Sequence, residues 1–141
     1  MSTVAASQDA QGLADRNRAL VIRLMAALDK CDLGTIRAIM APDVEWYVSG
    51  VGTLDLETLL AQMQQMLGVA IVAHTAILAT TAEGERVAVE SRGNFEFADG
   101  RTYRNHYHHL FTVRGDRVVG AREYLDLQET ERAFGPMGGS T

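Results

Sequence analysis

Hydrophobic residues recur at helical spacing before Gly68 and at strand spacing after it. From about Leu13 to Leu28 the apolar positions are Leu13, Leu20, Leu24 and Leu28, with Val21 and Met25 beside them. Asp32 is placed to cap a short second helix, Leu33 to Met40, which Pro42 ends. Val44 to Val48 reads as a short strand. Thr53 or Asp55 caps a third helix running to about Leu67, with Leu56, Leu59, Leu60, Met63 and Leu67 on one side and Gly68 as its stop. Four strands follow: Val69 to Thr81, Arg86 to Phe97, Arg101 to Val113 and Arg117 to Leu127. Turns at Glu83-Gly84-Glu85, Asp99-Gly100 and Gly115-Asp116 separate them. Helices first and a meander afterwards is the order of an α+β domain. The expected architecture is a cone: a curved antiparallel sheet wrapped around N-terminal helices, with an internal pocket at its open end. Such hollows are common ligand sites.

The 141 residues suit one domain, placed at residues 11–134. Residues 1–10 are small and polar and are expected to be disordered; the Gly-rich stretch 135–141 is expected to be a flexible tail. A formal net charge of -5 with no basic patch argues against nucleic acid and against an anionic membrane surface. No apolar run approaches the ~20 residues of a membrane span. The N-terminus lacks the charged and apolar regions of a secretory signal. Cys31 is the only cysteine, so no internal disulfide can form, and a structural thiol in a reducing cytoplasm is expected.

Two stretches carry a family resemblance. One is Gly100-Arg101-Thr102-Tyr103, Asn105 and Tyr107, a Gly-Asp turn, then Arg122-Glu123-Tyr124-Leu125-Asp126-Leu127. The other is Ala41-Pro42-Asp43-Val44-Glu45-Trp46. Together they resemble the nuclear-transport-factor-2-like superfamily over roughly residues 13–130. The resemblance is to its SnoaL-like branch in particular, with its polyketide cyclases, ketosteroid isomerase-like proteins and limonene epoxide hydrolase. It implies the cone fold, whereas one such scaffold hosts isomerases, cyclases, dehydratases, hydrolases and non-enzymes.

Alternation along the strands assigns faces. On 101–113 the odd face holds Tyr103, Asn105, Tyr107, His109, Phe111 and Val113; it is the more aromatic and is placed inward. On the last strand Val119, Ala121, Glu123, Leu125 and Leu127 share a face. Strand 86–97 is divided. Its odd face, Val87, Val89, Phe95 and Phe97, is the more apolar, and simple patterning leaves Glu90, Arg92, Asn94 and Glu96 in water. The resemblance implies the reverse, with Arg92 and Asn94 inside the cone and an outer apolar stripe covered by dimerisation. On that resemblance Arg92 and Asn94 are expected inside the cone, and the outer stripe predicts a homodimer.

The resemblance to limonene epoxide hydrolase implies an acid-Arg-acid group. Its Arg-x-Asp falls on Arg92-Gly93-Asn94, its second Asp on Glu123, and its helper Tyr-x-Asn on Trp46-Tyr47-Val48. An amide at Asn94 cannot protonate an epoxide oxygen, which argues against that hydrolysis. What survives is an expected Arg92–Glu123 pair. Either it is a buried ion pair that fixes register, or Glu123 is a general base while Arg92, Tyr107 or Asn94 holds a substrate oxygen. Asn105, Tyr107 and His109 form a polar ladder able to orient a carbonyl or hydroxyl. A Tyr-plus-acid set can stabilise an enolate; the plain alternative makes Tyr107 a core aromatic bonded to Asn105. The expected catalytic residues are therefore Glu123, Arg92 and Tyr107. Trp46, Val48, Asn94, Asn105, His109 and Leu125 are expected to bind the substrate. His106 and His108 share a face but lack further ligands at useful spacing, so no metal is expected. No phosphate loop, nucleophile elbow or dinucleotide fingerprint is present, and no cofactor is expected. The first functional reading is a cofactor-independent isomerase, cyclase, dehydratase or hydrolase using acid/base chemistry on a small apolar, oxygen-bearing ligand. The alternative is a non-catalytic ligand-binding or dimeric assembly domain on the same fold.

Overall fold

A computed structural model describes residues 3–136. Residues 1–2 and 137–141, which hold the outer parts of the two segments expected to be disordered or flexible, lie outside the described residues. Three helices and two strands precede Gly68: α1 (Thr3–Lys30), α2 (Leu33–Ile39), β1 (Met40–Val48), β2 (Gly52–Leu54) and α3 (Leu56–Leu67). After it come β3 (Ala70–Glu83), β4 (Arg86–Phe97), β5 (Thr102–Arg114), β6 (Arg117–Leu125) and α4 (Leu127–Phe134). Helix α1 begins ten residues ahead of the expected Leu13, taking in residues 3–10, where the sequence suggested disorder. Strand β2 and helix α4 are additions to the sequence reading.

Local chemistry sets the element ends. Asp32, Asp55 and Asp126 cap α2, α3 and α4, each accepting a backbone N–H of its helix's first turn. Cys31 takes the left-handed conformation, φ 52°, that closes α1. Gly115 and Asp116 both have positive φ, 54° and 62°, the backbone of a tight hairpin turn between β5 and β6.

The six strands form one open sheet in the order β2-β1-β6-β5-β4-β3. It is mixed, because β1 runs parallel to β6 while the other neighbours are antiparallel. Pro42 lies where the β1–β6 register shifts, a place where a missing N–H is tolerated. Helix α1 lies along the inner face, burying Ala14, Asn17, Val21 and Leu24 at three- and four-residue spacing. Two side chains tie it to the far edge of the sheet. Asn17 Nδ2 donates to the Gly84 carbonyl at 2.9 Å, and Asp29 Oδ2 accepts from the Thr75 N–H on edge strand β3 at 2.7 Å.

Strand β4 corrects the expected phase. Val87, Val89, Ser91, Phe95 and Phe97 are buried, while Arg92 is exposed on the outer face and Asn94 is half-buried there. Burying a Val or Phe side chain is worth about 1.5–3 kcal/mol, whereas an inward guanidinium carries a heavy desolvation cost. The plain alternation therefore prevails over the resemblance. The outer apolar stripe does not exist as drawn, since its residues are core.

Candidate functional site

Three strands bring one polar group into the apolar interior. His109 on β5 stands directly opposite Glu123 on β6, and Val48 on β1 is the parallel partner of Glu123 on the other side. Trp46 lies two residues before Val48 on the same face. The Trp46 indole Nε1–H donates to Glu123 Oε1 at 3.0 Å, and His109 Nε2 lies 3.1 Å from the same oxygen. A carboxylate only accepts, so the hydrogen of the second bond is assigned to His109 Nε2. In the neutral imidazole Nδ1 then carries the lone pair. That atom is buried and has no hydrogen-bond partner within the protein. The His109 and Glu123 side chains are 7% and 16% exposed, so their interaction is shielded from water.

Aromatic rings hold the pair in place. His109 stacks between Tyr107, at 5.7 Å, and Phe111, at 5.4 Å, and Trp46 meets its edge at 5.6 Å. Tyr107 leans over Gly93, where a Cβ would come within 2.7 Å of the Phe95 ring and 2.8 Å of the Tyr107 ring. Burial raises the Tyr107 pKa well above the ordinary tyrosine value, and the nearby Tyr103 hydroxyl, Glu123 and Asp29 push the same way. Tyr107 is a neutral hydrogen-bonding phenol at any physiological pH. Asp29 also lines an open cleft of about 400 Å³ with Gln64, Leu67 and Ala73, where α1 and α3 end beside β3.

The expected site residues divide into three groups. Glu123, Tyr107, Trp46, Val48, His109 and Leu125 lie on the inner face, Leu125 half-buried against the core. Arg92 does not pair with Glu123; its Nε–H donates to His106 Nε2 at 3.1 Å on the outer face. Asn94 accepts there from Arg104 Nε at 3.0 Å. Both are removed from the inner site because their strand turns its apolar side inward. Asn105 is inside but fully engaged: the two Nδ2 hydrogens are shared among the Tyr103 hydroxyl, the Asp126 carbonyl and Thr130 Oγ1, and Oδ1 accepts from the His106 and Asp126 N–H groups. It clamps the junction of β6 and α4. Its tyrosine partner is the Tyr103 hydroxyl, not Tyr107 as in the plain alternative.

Two polar residues near Tyr107 escaped the sequence reading. Ser91, wholly buried with an unpartnered hydroxyl, sits on the face of β4 that had been turned outward. Asp29 is an acid near the C-terminal end of a helix, against the local dipole, which was its signal. His106 and His108 are exposed on the outer face, and the described residues hold no cluster of three or more metal-ligating side chains. No helix among the described residues is long and apolar enough to cross a membrane.

Residues 21–121 match the SnoaL-like domain. The chain belongs to the SnoaL-like family. An LEH-like epoxide hydrolase of M. tuberculosis shares the fold with a TM-score of 0.73 at 17% identity, over 85% of this chain and 90% of that one. IdmH of Streptomyces antibioticus, proposed to be a polyketide cyclase, gives 0.73 at 19% identity over 85% and 99%. Bal32a, from a soil-derived mobile gene cassette, gives 0.77 at 22% identity over 86% and 98%. At these identities the likeness is one of fold. No functionally curated protein matches the sequence.

Proposed function

We propose that this SnoaL-like protein is a cofactor-independent acid/base enzyme acting on a small apolar ligand that bears oxygen. The observation that carries the reading is the shielded Trp46–Glu123–His109 set. Glu123 fixes the imidazole tautomer and stabilises the imidazolium that forms when Nδ1 takes a proton. Trp46 holds the carboxylate in place. Glu123 and His109 thus act as one base, and the returning proton comes from the same nitrogen. The neutral Tyr107 phenol beside them is a donor for a substrate oxygen as negative charge develops on it. Arg92, Asn94 and Asn105 have no part. Isomerisation, cyclisation and dehydration all use this proton transfer. The lone Cys31 supports residence in a reducing cytoplasm.

The test is exchange of the α-protons of 2-tetralone in D2O, followed by NMR. Glu123→Gln and His109→Gln each slow the protein-catalysed exchange by about 10²-fold or more, with circular dichroism unchanged. Exchange indifferent to both substitutions refutes the reading.

A second reading, a non-catalytic ligand-binding or dimeric assembly domain, is favoured by the placement of Arg92 and Asn94 outside and by the saturation of Asn105. Dimerisation would use the outer sheet face, where Leu78 and Tyr124 are 49% and 42% exposed.

A further inference from the structure

Among the described residues, two buried side-chain polar atoms lack a partner within the protein: Ser91 Oγ and His109 Nδ1. They are not scattered. Ser91 is paired with Tyr107 and His109 with Val89 across β4 and β5, so Ser91 and His109 are diagonal neighbours on one inner face. Diagonal neighbours on adjacent strands lie about 7–8 Å apart at the backbone. One oxygen hydrogen-bonded to both side chains at about 2.8 Å spans such a gap. Each unpartnered buried polar atom destabilises the fold unless something else satisfies it.

The demands of the two atoms differ. His109 spends its Nε2–H on Glu123, so Nδ1 asks for a donor. The Ser91 hydroxyl has a proton to give and asks for an acceptor. A carbonyl or ether oxygen satisfies only Ser91. A hydroxyl satisfies both, giving its proton to Nδ1 and accepting from Oγ.

We propose that Ser91 and His109 form a seat for a substrate hydroxyl: an alcohol, a phenol or the enol form of a ketone. The inference rests on the acid/base reading above and narrows its substrate class. Ser91 is a substrate-contacting residue, and His109 Nδ1 carries the proton between the α-carbon of the bound ketone and the seated oxygen of its enol.

Phenol and toluene test the seat, because they share a shape and differ by a hydroxyl in place of a methyl. Binding is followed by NMR of the Trp46 indole N–H. The wild-type protein prefers phenol, and Ser91→Ala weakens phenol binding about tenfold, the worth of one hydrogen bond, while toluene binding is unchanged. Thermal melting is the second measurement: Ser91→Ala melts no lower than wild type, since it removes an unsatisfied group. Binding of neither probe, equal affinity for both, or a phenol preference that survives Ser91→Ala overturns the proposal. So does a Ser91→Ala protein that melts several degrees lower. These are equilibrium measurements. Loss of the phenol preference beside intact tetralone exchange removes the seat alone, and intact preference without exchange removes only the catalytic reading.

Discussion

Tyr107 shows how one neighbour decides what a residue can do. Gly93 lies beneath its ring, and any side chain there would drive the ring off the sheet. Lying flat, the half-buried phenol is shielded from water, and that desolvation raises its pKa. The sign of the linkage follows. The folded state favours the neutral phenol, so the contribution to stability is complete below the unfolded value near 10.0 and is lost as pH rises past it. One such group makes stability fall by about 1.4 kcal/mol per pH unit above that point. Tyr107→Phe abolishes this share of the slope. Urea unfolding from about pH 9 to about pH 11 therefore gives a shallower decline for the variant, and parallel declines would show that Tyr107 ionises in the folded protein. The inward placement of Trp46, His109 and Glu123 was readable from alternation along the strands. The bonds among them were not, because His109 meets Glu123 only through the register of β5 on β6.

At the scale of elements, the helices and the four long strands were legible to within a few residues, apart from the start of α1. Their periods are sustained and their caps and turns are chemically distinct. Strand β2 was missed because three residues are too few to establish a period, and the mostly polar helix α4 because its cap, Asp126, was read as the end of a strand. The phase of β4 was legible too, in Val87, Val89, Phe95 and Phe97, but the resemblance was followed instead, and Ser91 went unnoticed with the rest of that face. The phase has a direct measurement. Val89 is 0% exposed and packed in the main core, so Val89→Ala costs stability through lost transfer energy and a cavity, about 2 kcal/mol. Arg92→Ala removes an exposed contact and stays within about 0.5 kcal/mol of wild type. Denaturant midpoints for the two variants decide it; a reversed order would turn the strand over.

For the whole molecule, the open question is the outer face of the sheet. Strands about 4.8 Å apart, joined by ladders that range from three residue pairs between β1 and β2 to twelve between β3 and β4, present roughly 600 Å². That is at the low end of the ~600–1,000 Å² per partner of a standard interface. The face is not uniformly charged. Arg92 is bonded to His106 and Arg104 to Asn94, while the Arg122 guanidinium lies 4.7 Å over the Tyr47 ring. Held in place by these contacts, the arginines leave Leu78, Leu110 and Tyr124 as the apolar relief between them. A two-fold axis would set such a surface against its own copy, each copy burying the same patch. Sedimentation at micromolar concentration is expected to give a dimer. Leu78→Asp with Tyr124→Asp is expected to give a monomer whose circular dichroism is unchanged, because neither side chain is part of the core. A wild-type protein that sediments as a monomer would leave this face to solvent.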